Sequence, residues 1–315
     1  MFGMNTLEEV KRTIDNHGVC NAEVNSLEWP SQDLLERRIE VLQAPDEINY
    51  ISIGETEVSY LYSHAYSERP KRSWKDEDGK LLPKEERVNI AKTEIVFFHY
   101  KSTIYAAFLT HAESTIKNLK RELLIPEHWG EIASAVNFEV DEDFLYWLIY
   151  RRTKFNGSIT KEINITGINA YVGLMVEGTQ SMSAEGERVL ELLGSLANIF
   201  GNEPIDSANI SIRLKTETCT FKIYRSGQVK IDDNSYLGNY CGNHIGRNRG
   251  ARICLVIYTL MIPALQLEYD NHKKNNQWSV SHRISFINDT GKEILKRIVS
   301  ALKIPEHTSI KDVIC

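Results

Sequence analysis

The stretch "ICLVIYTLMIPALQL", Ile253 to Leu267, constrains this chain more than any other. It holds almost no polar side chain and carries Pro263 in its second half. A bilayer span needs about 18 to 20 apolar residues, and this run is shorter, so it reads as a helix that must be buried in a protein core. The segment that opens it, "NHIGRNRGAR" (243–252), is its opposite: three arginines and a histidine in ten residues, with two glycines. A bare cationic loop directly before a buried helix has two readings. In one, Asn248 caps the helix, the unpaired amides of the first turn face outward, and Arg247, Arg249 and Arg252 complete a seat for phosphate. In the other, the loop is solvated and its arginines pair with Asp232, Asp233 or the acidic N-terminal half. "HKK" at the far end of the helix extends the cationic set by Lys273 and Lys274.

A core able to bury such a helix needs length, and 315 residues with 42% hydrophobic side chains provide it. The net charge of -6 conceals a division. Residues 1–143 hold 16 Lys+Arg and 27 Asp+Glu, a balance of -11, while residues 144–315 hold 21 and 16, a balance of +5. Such asymmetry suggests two surfaces with different partners. The polar opening "MFGMNTLEEVKRTIDNHG" does not read as a signal peptide, so the expected location is the cytoplasm. The five cysteines are scattered without a CxxC pair. Cys241 and His244 of "CGNH" lack a matching second pair at zinc-site spacing. No metal and no cofactor are expected.

The spacing of apolar residues predicts helices over 5–15 and 31–42, strands in "YISI" and "EVSYLYSHAY", and a long exposed loop over 67–87. A hairpin turning at Lys101 and Ser102 joins "TEIVFFHY" to "TIYAAFL", and helices follow over 111–124 and 141–152. The last of these begins with acids and ends with arginines, as a helix dipole favours. Downstream come strands "SITKEINITGI" and "AYVGLMVEG", a helix over 183–201, and a meander from "ANISIRLK" through "TCTFKIYRSG" to "QVKIDD". In the meander Ile210, Ile212, Leu214, Phe221 and Ile223 alternate with polar residues. One face is therefore apolar and the other carries Arg213, Lys215, Lys222 and Lys230. A strand "WSVSHRISF" and a helix capped by Asp289 or Thr290 close the chain. The class is α+β: antiparallel sheets packed with helices in two subdomains, an acidic one over 1–140 and a basic one over 141–315.

Enzyme templates fail in turn. Walker A, GxGxxG after a strand, GxSxG and HExxH are all missing from the sequence. A restriction-type nuclease needs Asp followed by Glu-x-Lys. The nearest candidate pairs Asp206 with "IRLKTE", where Arg213 stands in place of the metal-holding acid. Neither His244 with Arg247 nor His282 with Arg283 falls on a predicted helix, as a metal-independent RNase centre requires. "RPKRSWK" (69–75) interleaves Trp74 with basic residues, but "DEDG" follows and cancels the charge. Phe144, Tyr146, Trp147 and Tyr150 lie at helical spacing and read as core or interface. No catalytic residue is assigned.

Two segments resemble a known family. "TEIVFFHYKSTIYAAFLTHAESTIKNLKRELL" runs strand, turn, strand, helix. "ERVLELLGSLANIFGNEPIDSANISIRLKTE" runs helix, linker, strand, with Leu192, Leu193, Gly194, Phe200, Asp206, Ser207, Ile210, Ile212 and Lys215 carrying the likeness. Both resemble phage-exclusion proteins of the RexA type, and the layout is similar to the B subunits of the Kiwa anti-phage system. The match covers about half the chain, from about 90 to 220, and leaves "NHIGRNRGAR" outside it. The resemblance implies an intracellular, homodimeric, DNA-binding protein of anti-phage defence that acts with a membrane-protein partner. It carries over no catalytic residue. DNA held through its phosphate backbone with little sequence readout is the function expected, because no helix-turn-helix or zinc finger is found. A nuclease effector centred in the C-terminal half is the alternative.

Overall fold

A computed structural model describes residues 3–26, 28–42, 48–110, 112–174, 181–186, 189–241 and 248–303. In chain order the elements are α1 (Leu7–His17), β1 (Val19–Ala22), β2 (Leu35–Val41), β3 (Asn49–Ile53), β4 (Thr56–Pro70), α2 (Lys84–Arg87), β5 (Val88–Tyr100), β6 (Thr103–Phe108), α3 (Glu113–Glu122) and α4 (Pro126–Trp129). There follow α5 (Glu142–Lys154), β7 (Ile163–Leu174), β8 (Ser181–Glu185), α6 (Leu193–Phe200), β9 (Ile205–Leu214), β10 (Glu217–Tyr224), β11 (Val229–Ile231), α7 (Arg249–Val256), α8 (Ile262–Lys274) and α9 (Val280–Ala301). All strand pairs are antiparallel, and the fold is α+β. Two compact units divide the chain. One holds 1–135 together with 243–259, and the other holds 136–242 and 260–315. The expected single boundary at 140 is thus replaced by a cut at 135 and a return of the chain to the first unit.

In the first unit the sheet runs β1-β2-β4-β5-β6, with β3 also paired to β4. Its hairpin turns where expected: Lys101 and Ser102 both have positive φ, 49° and 63°, the pattern of a two-residue turn whose twist matches its strands. α1 starts on a capping box in which Thr6 and Glu9 satisfy each other's backbone amides. Its buried Leu7, Val10 and Ile14 join Leu61, Ile95, Phe97, Leu119 and Trp129 in one core cluster. Residues 31–42 correct the sequence expectation, because 35–41 form a strand and not a helix. Leu34, Leu35, Ile39 and Leu42 fit a helix, but Leu35, Ile39 and Val41 equally fit a period of two. Pairing with β1 and β4 decides. On the strand Arg38 reaches Glu36 at 2.5 Å and Glu40 at 2.6 Å, two positions away on either side. The segment 67–87 is likewise more ordered than a bare loop. β4 continues to Pro70, and Trp74 packs edge-on against Trp29 at 5.2 Å. Arg87 is buried with its guanidinium 4.5 Å over Trp29 and its charge on Asp33.

The second unit is built on the sheet β11-β10-β9-β7-β8. The two strands expected over 158–178 are one strand, β7, interrupted by register shifts after Ile165, Ile168 and Val172. The first two irregularities let Ile168 and Tyr171 keep facing inward. Ile163, Ile165, Ile168 and Tyr171 thereby oppose Leu214, Ile212, Ile210 and Ala208 of β9. β10 continues the apolar face with Cys219, Phe221 and Ile223. α5 lies under that face, contacting both β7 and β9. Its side chains from Phe144 to Ile149 are all buried, so the aromatic set at 144–150 is core. Asp141 caps α5 by accepting the Phe144 amide at 2.6 Å. The helix expected over 183–201 is instead β8 followed by the short α6, because 181–185 pair with 170–174. Residues 280–286, expected as strand, are the first turns of the 22-residue α9, which begins at Ser279 rather than at Asp289 or Thr290. The alternation there is only a few residues long and fits either period.

The apolar run that opens the analysis forms the helix 249–274, whose most apolar window is 56% buried and which passes the length and composition test for a membrane span. Ile257–Met261 within it are π-helical. Pro263 has no N–H to give the Thr259 carbonyl, a local break that a wider turn accommodates.

Two contacts test the packing of the second unit. Arg283 of α9 bonds Glu142 and Asn202, approaches Asp143 at 3.5 Å, and covers the Tyr146 ring at 3.9 Å. Arg283→Met takes the cation from Glu142 and Asp143 and is expected to cost about 2 kcal/mol in chemical denaturation. His272 is buried and accepts the Trp147 indole N–H at Nδ1, 3.0 Å away. Burial, and then the nearby Arg151 charge, lower its pKa. The unfolded chain therefore takes up a proton first, and stability falls as pH drops below about 6.5. His272→Gln keeps an acceptor for Trp147 but does not titrate. Wild type is expected to lose more stability than this variant between pH 7 and pH 5, measured by urea unfolding.

Candidate nucleic-acid interface

The sheet of the second unit is covered by α5 on one face, so its other face receives every second side chain of β9 and β10. On β9 these are Asn209, Ser211 and Arg213, and on β10 Thr218, Thr220, Lys222 and Tyr224. The registers set Arg213 opposite Thr218, Ser211 opposite Thr220 and Lys222 opposite Lys230 of β11. A row of small polar groups runs across the strands: Ser211 Oγ lies 2.8 Å from Thr220 Oγ1, and Asn169 Nδ2 reaches Ser211 Oγ at 3.5 Å. Lys222 Nζ sits 4.8 Å from the centroid of the Tyr224 ring. Arg213 and Lys230 are exposed, and Lys222 and Tyr224 are half-buried.

Two like charges opposed across a strand pair destabilise a sheet. Lys222 and Lys230 are opposed in this way, and among the described residues neither they nor Arg213 form an ion pair. Among the described residues, the Tyr224 ring beside Lys222 is the contact that offsets the repulsion. The face is thus positive and furnished with hydroxyl and amide groups. Anionic oxygens fit it: cations to neutralise them, Ser and Thr to donate hydrogen bonds, and an aromatic ring beside them.

The other predicted basic residues fall elsewhere. Lys215 stands in the β9–β10 turn at φ 53°, with Nζ 3.4 Å from Glu162. Both are 63% exposed, so the pair contributes little to stability, yet it offsets the Lys215 charge. Lys273 donates to the Tyr269 hydroxyl at 3.3 Å, and that hydroxyl donates to Asp143 at 2.7 Å. Lys273 is therefore engaged with the acidic start of α5. Lys274 is exposed in the last turn of α8. Arg249 and Arg252 belong to the first unit, so the structure does not join them to Arg213, Lys222 and Lys230 in one unit. Asn248 holds the N-cap position of α7 but makes no side-chain capping bond. Arg252 is half-buried, and its Nε is buried without a hydrogen-bond partner among the described residues. Arg247 and His244 lie outside the described residues, so the phosphate seat expected at "NHIGRNRGAR" is described only in part.

The nuclease and RNase alternatives meet the following geometry. The Asp206 carbonyl accepts the Arg225 amide at 3.0 Å. Among the described residues no group of three or more His, Cys, Asp and Glu stands ready for a metal. His282 and Arg283 lie in the first turn of α9 and not on a strand. His282 Nδ1 is 2.7 Å from Ser279 Oγ, and Arg283 is held by Glu142 and Asn202.

Two features of this unit were missed in the sequence. Tyr224 follows from the period-two run Thr218, Thr220, Lys222, Tyr224 and could have been assigned to the basic face. The anchor of the sheet edge could not. Glu217 is buried at the start of β10, where Oε1 accepts the Asn239 amide at 2.9 Å and Oε2 accepts the Tyr236 hydroxyl. Burial and this bond raise the Tyr236 pKa, and burial pushes the neighbouring Cys219 thiol up to about 12. A Cβ on Gly238 would lie 1.8 Å from the Glu217 carboxylate, so only glycine fits there.

No protein-family model matches this chain, and no curated protein matches it.

Lys222→Thr removes the cross-strand repulsion while keeping a strand-forming residue. It is expected to raise stability by about 0.5 kcal/mol in denaturant titration. A loss of stability would show that Lys222 has a stabilising partner.

Proposed function

We propose that this protein binds nucleic acid through phosphate contacts on the outer face of the β7–β11 sheet, with little sequence readout. The opposed pair Lys222 and Lys230, without an acidic partner among the described residues and with Arg213 farther along the same face, opposite Thr218, carries this reading. A cost retained on a solvent face is explained by an anionic ligand that relieves it. Tyr224 and the Ser211–Thr220 row add a stacking surface and hydrogen bonds that do not depend on base identity. The resemblance to RexA-type and Kiwa B proteins supplies the setting: a DNA-binding sensor or effector of anti-phage defence that works with a membrane-protein partner and is not itself an enzyme.

Fluorescence anisotropy with labelled DNA over a range of salt tests the reading. Affinity should fall steeply with salt, and Lys222→Ala with Lys230→Ala should reduce the log–log slope by about two units. Binding should weaken similarly across unrelated sequences. A double variant with the wild-type slope and affinity would remove this face from the interface.

A further inference from the structure

The inner face of the first unit's sheet changes in size along its strands. On β4 the side chains of that face run Leu61, Ser63, Ala65, Ser67, and opposite them on β5 run Phe97, Ile95, Thr93, Ala91. Leu61, Ile95 and Phe97 pack in the core cluster with Leu119 of α3. Beyond Ile95 only small side chains oppose each other, Ala65 with Thr93 and Ser67 with Ala91, and a gap opens under α3. This cleft measures about 290 Å³ counted to its open mouth, and its innermost part has room for one water-sized group. Arg37 of β2, opposite Ser67 in register, and Arg69 of β4 stand in its walls. Thr115 and Asn118, a turn apart on α3, close it from the other side.

The polar groups around this cleft are mostly donors without an acceptor. Ser67 and Thr93 are only 7% and 6% exposed, and among the described residues their hydroxyls have no hydrogen-bond partner. Arg37 meets Glu122 through Nε at 3.2 Å, which leaves its two terminal nitrogens. Arg69 is exposed and has no ion pair among the described residues. Asn118 gives its Oδ1 to Arg121 at 3.1 Å, which leaves its amide N–H groups. Glu122, the carboxylate that lines the cleft, is shared between Arg37 and Arg121, so the cations outnumber it. We infer that this cleft binds one phosphate group, free or at the end of a monoester. A buried hydroxyl without a partner costs free energy, and a phosphate oxygen between Ser67 and Thr93 satisfies both. The remaining oxygens meet Arg37 and Arg69 through charge-assisted bonds, which a planar guanidinium makes in pairs. A carboxylate has too few oxygens for so many donors. A trapped water would satisfy the hydroxyls, but it gives no reason for two guanidiniums at one gap. A phosphodiester within a strand carries sugars on both sides, which keep its oxygens out of so narrow a recess. This inference uses no residue of the β7–β11 face and stands apart from the proposed contact with nucleic acid.

Isothermal titration calorimetry on the full chain at physiological ionic strength tests it, with inorganic phosphate and glycerol phosphate as probes. Inorganic phosphate should bind, one per chain. Glycerol phosphate binding as tightly or more so assigns the site to the end of a monoester, and weaker binding assigns it to the free ion; both outcomes support the inference. Arg69→Gln, at an exposed position, should weaken binding about tenfold with an unchanged thermal melt. Thr93→Val keeps the side-chain shape and removes a hydroxyl that is unpaired in the free protein. It should weaken binding severalfold while melting no lower than wild type, an outcome that a purely structural threonine would not give. Lys222→Ala with Lys230→Ala should leave phosphate binding as it is, whatever that pair does to DNA. Three results overturn the inference: no binding of either probe, binding indifferent to both Arg69→Gln and Thr93→Val, or binding lost with the lysine pair.

Discussion

An antiparallel sheet covered on one face must send every second side chain to water, and the second unit depends on that constraint. α5 is buried from Phe144 to Ile149, with Phe144 and Trp147 turned to Tyr269 and His272 of α8, and where it packs on β7 and β9 the sheet must present an unbroken apolar face to it. β9 and β10 meet this demand by strict alternation. β7 meets it by shifting register between Ile165 and Gly167 and again between Ile168 and Ala170, so that Ile163, Ile165, Ile168 and Tyr171 all turn inward. What remains is an outer face whose composition packing does not dictate. Arg213, Lys222 and Lys230 occupy it in spite of their mutual repulsion, and this freedom from packing makes their charge informative about function.

Much of this was legible in the sequence. The alternation in "ANISIRLK" and "TCTFKIY" identified both the apolar face and the cations opposite it. The Lys101–Ser102 turn and the acid-to-base polarity of α5 were equally plain, since each rests on local chemistry: turn twist and helix dipole. Failures came where two periods fit the same letters. Leu35 and Ile39 are four apart, which suits a helix, yet they lie on one face of a strand as well, and only the pairing of β2 with β1 and β4 decides. The start of α9 shows the converse, with an alternating segment absorbed into a long helix held by Arg283.

The basic residues were harder to group than to find. Arg249, Arg252, Lys273 and Lys274 share one continuous helix with a cationic end on each side of its apolar run. Position along a helix is no guide to which surface a side chain joins, because 249–259 belong to one unit and 260–274 to the other. Lys273 is engaged through Tyr269 by Asp143, a contact spanning more than a hundred residues that no local pattern announces. Glu217 and Gly238 were invisible for the same reason: a buried carboxylate and the glycine that makes room for it are recognised only once the chain has brought them together.

The central claim is that phosphate meets the outer face of the β7–β11 sheet, and lysine footprinting tests it most directly. The protein is treated briefly with an amine-acylating reagent, with and without saturating DNA, and modification is read at each lysine by mass spectrometry. The account predicts that DNA shields Lys222 and Lys230 strongly, while Lys101 in the β5–β6 turn and Lys117 of α3 react as before. Shielding confined to lysines away from this face, with Lys222 and Lys230 unchanged, would contradict it.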